Sequence, residues 1–123
     1  MSNNNPFVSL VDCPRDAIQG IKYPIDTKRK IQYINQLIKS KLFDCIDFGS
    51  FVSPKAVPQM ADTKEVLEGL EKDEQVKLLA IIANQRGAQI GAEHQQIDYL
   101  GFPFSISETF QQNNTNSSIQ EAY

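Results

Sequence analysis

The sequence predicts an α/β fold with a parallel sheet of about four βα units, which is half of a (β/α)8 TIM barrel. Three observations carry this. Short apolar runs alternate with segments of helical period, the pattern of strands joined by helical crossovers. The run 76–83 is apolar without alternation after Lys77, as expected of a strand buried on both faces of a parallel sheet. The chain has 123 residues, whereas a full eight-fold barrel takes ~250. A small doubly wound sheet is the alternative, but no glycine-rich phosphate loop comes after the first strand.

Phe7-Val8-Ser9-Leu10-Val11 reads as strand one. A loop from Cys13 to Pro24 holds two prolines and Gly20. A helix is expected over about 27–41, with Asp26 or Thr27 as N-cap and Ile31, Ile34, Leu37, Ile38 and Leu42 as its apolar stripe. Strand two is expected at 43–48, followed by a long loop, 49–61, containing Pro54 and Pro58. A helix starts at Asp62, where Glu65 three residues on makes a capping-box-like pair, with Val66, Leu67 and Leu70 facing inward. Strand three is 76–83, a short polar helix covers about 85–94, and strand four is 97–101. A Gln/Asn-rich loop then leads to a last helix capped by Ser117 or Ser118. The whole reads as one partial-barrel domain over 1–123, cut at its C-terminus.

Composition narrows the function. The chain is 41% hydrophobic and 22% charged, ordinary for a globular domain. Its net charge of −3 argues against a nucleic-acid partner, which needs clustered cations. The one basic cluster, Lys28-Arg29-Lys30, reads as a solvated helix face. Cys13 and Cys45 each end an apolar run and read as reduced and buried, which places the chain in the cytoplasm. No apolar run approaches the ~20 residues of a membrane span, so no membrane partner is expected.

Catalytic groups of such folds sit on the loops after the strands. Two segments qualify. Arg15 and Asp16 come directly after strand one; Arg suits a carbonyl or enolate oxygen, and Asp suits Mg²⁺ or Mn²⁺. Asp47 ends strand two and could face the same pocket. From spacing alone, a loop ion pair or turn is the more ordinary reading of Arg15 and Asp16, and a strand-end capping carboxylate explains Asp47 equally well.

Longer motifs add to this. Ser50-Phe51-Val52-Ser53-Pro54-Lys55, then Val57-Pro58-Gln59-Met60-Ala61-Asp62, resembles the hydroxymethylglutaryl-CoA lyase family. So does Pro14-Arg15-Asp16 with Gln19 beyond it, a pattern shared with the wider superfamily that includes isopropylmalate and homocitrate synthases. The stretch 63–70 continues the match, with weaker echoes at Asn84, Gly87 and 107–121. The resemblance implies the N-terminal half of a barrel that splits 3-hydroxy-3-methylglutaryl-CoA into acetyl-CoA and acetoacetate with a divalent cation. It implies Asp16 as a metal ligand, Arg15 and Asp47 as catalytic residues, and Gln19 and Ser50 as substrate-binding residues. Lys55 is a candidate for attracting a phosphate, or a solvated lysine.

The chain also departs from the family. Asp47 stands where a glutamate is usual, and Cys13 and Ala17 where glycines are usual. The family's other metal ligands, two histidines among them, lie in its second half; the single His94 here reads as ordinary surface. The chain alone is therefore expected to be inactive. Two alternatives stand beside the lyase: a related acyl-CoA lyase or Claisen-type condensing synthase, and a non-catalytic half-barrel that forms a homodimer.

Overall fold

The computed structural model describes residues 7–122. Strands β1 (Val11–Asp12), β2 (Cys45–Ser50), β3 (Lys77–Ile81) and β4 (Tyr99–Gly101) form one sheet in the order β1-β2-β3-β4. All three pairings are parallel. Sequential order with parallel pairing means that each crossover returns to the next position, as along the wall of a βα barrel. The helices are α1 (Pro14–Gln19), α2 (Thr27–Ser40), α3 (Thr63–Glu68), α4 (Gln85–Ala92), α5 (Glu108–Thr115) and α6 (Ile119–Ala122).

The long α2 forms as its sequence dictates. Asp26 caps it by accepting from the Lys28 N–H, and Lys41 ends it in the left-handed conformation at φ 58°. Its Ile34 and Ile38 pack with Ile46, Phe48, Val66, Leu67, Val76, Leu78 and Ala80 in one dry core between sheet and helices. α4 is capped by Asn84, whose side chain accepts from the Gly87 N–H. Glycine at 87 lets α4 sit directly on the end of β2, since a Cβ there would lie 2.6 Å from the Phe51 carbonyl oxygen.

Several expectations need correction. Segment 14–19 is a helix and not a loop. Pro14 at its first position and Gly20 just past its end are the asymmetry that marks such a helix. The segment 107–116, read as a Gln/Asn-rich loop, carries α5, with Ser107 accepting from the Phe110 N–H. Strand two is shifted toward its C-terminus, so Ser50 lies inside it. Strand one is confined to Val11–Asp12, with Phe7 and Val8 exposed. β3 is buried on one face only, because Leu79 and Ile81 on the other are half-covered. Asp62 makes no capping bond to α3; its carboxylate is taken by Thr27 and Lys30. Lys30 is therefore buried at 4% exposure, leaving Lys28 and Arg29 as the solvated part of the basic cluster. Cys45 is buried but Cys13 is exposed, and both are free thiols. His94 is half-buried, its ring stacked on Phe51 at 5.6 Å.

Candidate active site at the ends of β1 and β2

The site begins with a helical spacing. Arg15 and Gln19 are four residues apart on α1, so they share one helix face. Arg15 Nη1 donates to Gln19 Oε1 at 3.0 Å and to Asp16 Oδ1 at 3.3 Å. The opposite side of the guanidinium meets Asp47. Nε lies 3.2 and 3.1 Å from its two oxygens, and Nη2 donates to Oδ2 at 2.7 Å. This fork-shaped grip fixes both the position and the plane of the guanidinium. Four expected residues, Arg15, Asp16, Gln19 and Asp47, thus form one hydrogen-bonded cluster.

Burial sets their protonation. The Arg15 and Asp47 side chains are 14% and 5% exposed. Loss of solvent pushes the Asp47 carboxyl above its ordinary range, against the hydrogen bond and charge of Arg15. Burial alone would lower the Arg15 value, but the Asp47 hydrogen bond and charge raise it overall. Arg15 therefore stays cationic, and both Asp47 oxygens are spent on holding it. Asp16 differs: its side chain is 71% exposed and only Oδ1 is engaged.

Asp47 reaches this cluster from the middle of the sheet, and a bulge sets the orientation of the residues after it. Asp47 pairs with Leu79, Gly49 with Ala80 and Ser50 with Ile81, so Phe48 is the extra residue. Phe48 and Gly49 both turn outward, Phe48 into the core and Gly49 against Thr63, whose methyl would lie 2.6 Å from a Cβ at 49. Ser50 then falls on the same face as Asp47, although an unbroken strand would place residues three apart on opposite faces. The Thr63 hydroxyl accepts from the Ser50 N–H at 3.2 Å and donates to the Met60 carbonyl at 2.7 Å. The Ser50 hydroxyl is buried with no partner within the protein among the described residues, an unsatisfied donor that a ligand or water would complete.

Gln19 and Ser50 do not line one cavity. Ser50 borders a cavity of about 400 Å³ together with Met60, Thr63, Asn84 and Arg86. Gln19 borders another of about 550 Å³ with Lys22, Ile25, Lys30, Gln59 and Asp62. Lys55 is exposed.

One set of residues was not anticipated. The Gln59 amide accepts from the Ile25 N–H at 3.0 Å and donates to the Ile21 and Tyr23 carbonyls at 3.0 and 2.9 Å. Lys30 donates to Asp62 at 2.7 Å and to the Gln59 carbonyl, and Thr27 donates to Asp62 at 2.7 Å. This network ties the segment after α1 to the segment after β2, so the two segments that carry the cluster are held as a unit. The sequence signal was a lysine on the apolar side of α2, one residue before Ile31.

A divalent cation is implied by the resemblance. Among the described residues no group of three or more His, Cys, Asp or Glu side chains gathers as a metal site. Asp16 offers one free carboxylate oxygen and Asp47 is committed to Arg15, a donor set short of the six or so oxygens such a cation takes. The residues present do not by themselves fit the cation.

Fold and site define a segment of a βα barrel with an ionic cluster at the C-terminal end of its strands. No family model matches the sequence. The chain is 39% identical over 116 residues to the 3-hydroxy-3-isohexenylglutaryl-CoA/hydroxymethylglutaryl-CoA lyase of Pseudomonas aeruginosa, covering 94% of itself and 38% of that protein. It is 37% identical over 119 residues to the cytoplasmic 3-hydroxy-3-methylglutaryl-CoA lyase of Rattus norvegicus, covering 94% of itself and 34% of that protein. The crystal structure of the Pseudomonas lyase superposes with a TM-score of 0.82 at 36% identity, over 94% of this chain and 38% of that one. A lyase structure from Acinetobacter baumannii, in complex with coenzyme A and 3-methylmalate, superposes with a TM-score of 0.86 at 32% identity over the same shares. The chain corresponds to the N-terminal part of the hydroxymethylglutaryl-CoA lyase family's TIM barrel. It spans little more than a third of the length of these relatives.

Proposed function

We propose that this chain supplies the enolate-stabilising part of a hydroxymethylglutaryl-CoA lyase. The observation that carries the reading is Arg15, a half-buried guanidinium clamped by Asp47 on one side and by Asp16 and Gln19 on the other. Cleavage of 3-hydroxy-3-methylglutaryl-CoA to acetyl-CoA and acetoacetate leaves negative charge on the acetyl-CoA enolate oxygen. A cation already fixed in place stabilises that charge without reorganising as it develops. Asp47 orients the guanidinium and does not move a proton itself, since Arg15 engages both its oxygens. The usual glutamate is one methylene longer, yet Asp47 still closes on Nη2 at 2.7 Å, so the substitution keeps the grip. Gln19 holds the far side of Arg15, and the unsatisfied Ser50 hydroxyl is offered to an acyl-CoA substrate. Asp16 would supply one ligand to Mg²⁺ or Mn²⁺, the remainder coming from outside this chain.

Relatives carry both cytoplasmic and mitochondrial names, and we place this chain in the cytoplasm on its free thiols. No helix among the described residues is long and apolar enough to cross a membrane.

The test is a chimera in which this chain replaces the matching segment of the Pseudomonas lyase. We expect metal-dependent release of acetoacetate. Arg15→Met in the chimera should lower kcat about 10²–10³-fold, the effect of removing one oxyanion donor. A folded chimera whose turnover is indifferent to Arg15 sinks the reading. The shorter Asp47 favours a second reading, a lyase for a different acyl-CoA. The isohexenyl substrate named for the Pseudomonas relative is then the first alternative to assay.

A further inference from the structure

Gln59 sits in the middle of Pro58–Met60, a single 3₁₀ turn, and its side chain reaches away from its own segment. Its carboxamide makes three hydrogen bonds, all to backbone groups of the stretch just past α1. The Ile25 N–H donates to Oε1, and Nε2 donates to the Ile21 and Tyr23 carbonyls. These use both N–H groups of the amide and its oxygen. The partners alternate along 21–25, so one side chain serves that stretch as a neighbouring strand would. Among the described residues no other hydrogen bond joins 21–25 to a distant part of the chain. Gln59 is itself held, because the buried Lys30 ammonium donates to its carbonyl and to Asp62.

The gripped stretch begins two residues past Gln19, the last residue of α1. α1 has six residues, and a helix that short keeps its shape only with support from outside. Pro14 and Ile18 are buried, but Gln19 and Gly20 are exposed, so packing does little to fix that end. Gln19 Oε1 nevertheless accepts from Arg15 Nη1 at 3.0 Å. Asp47 takes Nε and Nη2 and does not reach Nη1. The far side of the guanidinium is thus closed by a residue whose own place depends on the stretch that Gln59 grips.

We propose that Gln59 is a positioning residue for Arg15: by gripping 21–25 it fixes the last turn of α1, and through it Gln19, which locks the side of the guanidinium that Asp47 leaves free. A cation locked on both sides is organised before charge develops on the substrate. The part played in the reaction rests on the lyase reading; the mechanical link from Gln59 to Arg15 does not.

Gln59→Met keeps the length of the side chain and loses all three bonds. In the chain itself, arginine side-chain NMR reads how fast the Arg15 guanidinium rotates about its Cζ–Nε bond, with the exposed Arg29 and Arg86 as internal controls. Gln59→Met and Gln19→Leu should each speed that rotation about 5-fold, the worth of one hydrogen bond, and the double variant should go no further. In the chimera with the Pseudomonas lyase, Gln59→Met should lower kcat by about the same factor with KM little changed, and should add nothing once Arg15→Met is present. A merely structural role would lower the melting temperature without touching the rotation. Unchanged rotation in a folded Gln59→Met chain overturns the proposal. So does a kcat loss that persists in full beside Arg15→Met. If circular dichroism shows that Gln59→Met does not fold, Gln59→Glu is read by the same criteria; it keeps the bond from Ile25 and loses those to Ile21 and Tyr23. A chimera that releases no acetoacetate removes the proposed activity, and the rotation measurement then decides the link alone.

Discussion

The two faces of the sheet are built by different rules. The outer face is closed by its own crossovers: Ile34, Ile46, Leu78 and Ala80 are each at most 1% exposed, and the cluster they share is drawn from residues 34 to 80. Among the described residues the inner face is overlain by α1, a short helix that brings the Arg15–Asp47 ion pair along with the buried Pro14 and Ile18. Stability is thus concentrated on one side and chemistry on the other. A βα repeat can make its outer core locally, whereas its inner core needs strands from across the barrel.

The largest test of this contrast is on the inner face itself. Asp47→Ala should cost about 3 kcal/mol, because it strips Nε and Nη2 of the largely buried Arg15 of their partner while Asp16 and Gln19 still hold Nη1. The double change Arg15→Met with Asp47→Leu should cost far less, since a well-packed apolar pair often matches a buried ion pair. Urea denaturation of both variants decides the matter. A double variant as unstable as the single one would mean that the pair stabilises the fold and is not there for chemistry alone.

Next in size is a pair of truncations across β3 and β4. Leu78→Ala should cost about 2–5 kcal/mol, as for a filled core position. Tyr99→Ser, on the open face, should stay within about 0.5 kcal/mol. Equal losses in thermal melts would mean that the inner face is covered in solution by another copy.

The smallest effect separates two carboxylates by sign. Asp98 accepts from the Leu78 N–H at 2.9 Å and from Lys72 at 2.6 Å. Burial alone would lift its pKa, but these bonds and the charges of Lys72 and Lys77 lower it overall. A lowered folded value contributes stability above the unfolded pKa of about 3.9, lost as pH falls through the folded one. Asp98→Asn should remove about 1 kcal/mol at neutral pH and flatten the acid limb. Asp47 runs the other way: its value is raised by burial, so its contribution falls as pH rises through that value. Stability titrations of the two single variants should therefore bend in opposite directions.

Much of this was legible in the sequence. The alternation of apolar runs and helical stripes identified four strands, the α2 helix and the parallel sheet, and the Ser50–Asp62 motif pointed to the family. The clustering was legible in part: Asp47 meets Arg15, with Asp16 and Gln19 on the other side of the guanidinium, while Ser50 borders a different cavity from Gln19. What could not be read depended on contacts distant in sequence. Lys30 looked solvated because its partners, Gln59 and Asp62, lie about 30 residues away. α1 was hidden because a six-residue helix carries too little periodicity to register. β3 looked doubly buried because its apolar run fits a closed barrel, and these four strands close only one side of it.

The bulge at Phe48 has a consequence for how this chain is compared with others. It acts as a phase slip: residues before it alternate in one parity, and those after it in the other. Treating Phe48 as an ordinary strand position, or deleting it, would not shorten a loop. It would invert everything downstream, sending the Ser50 hydroxyl into the oil of the core and swinging Phe51 off the His94 ring and into the cleft. A single apolar residue would then decide which of its neighbours face the open side of the sheet.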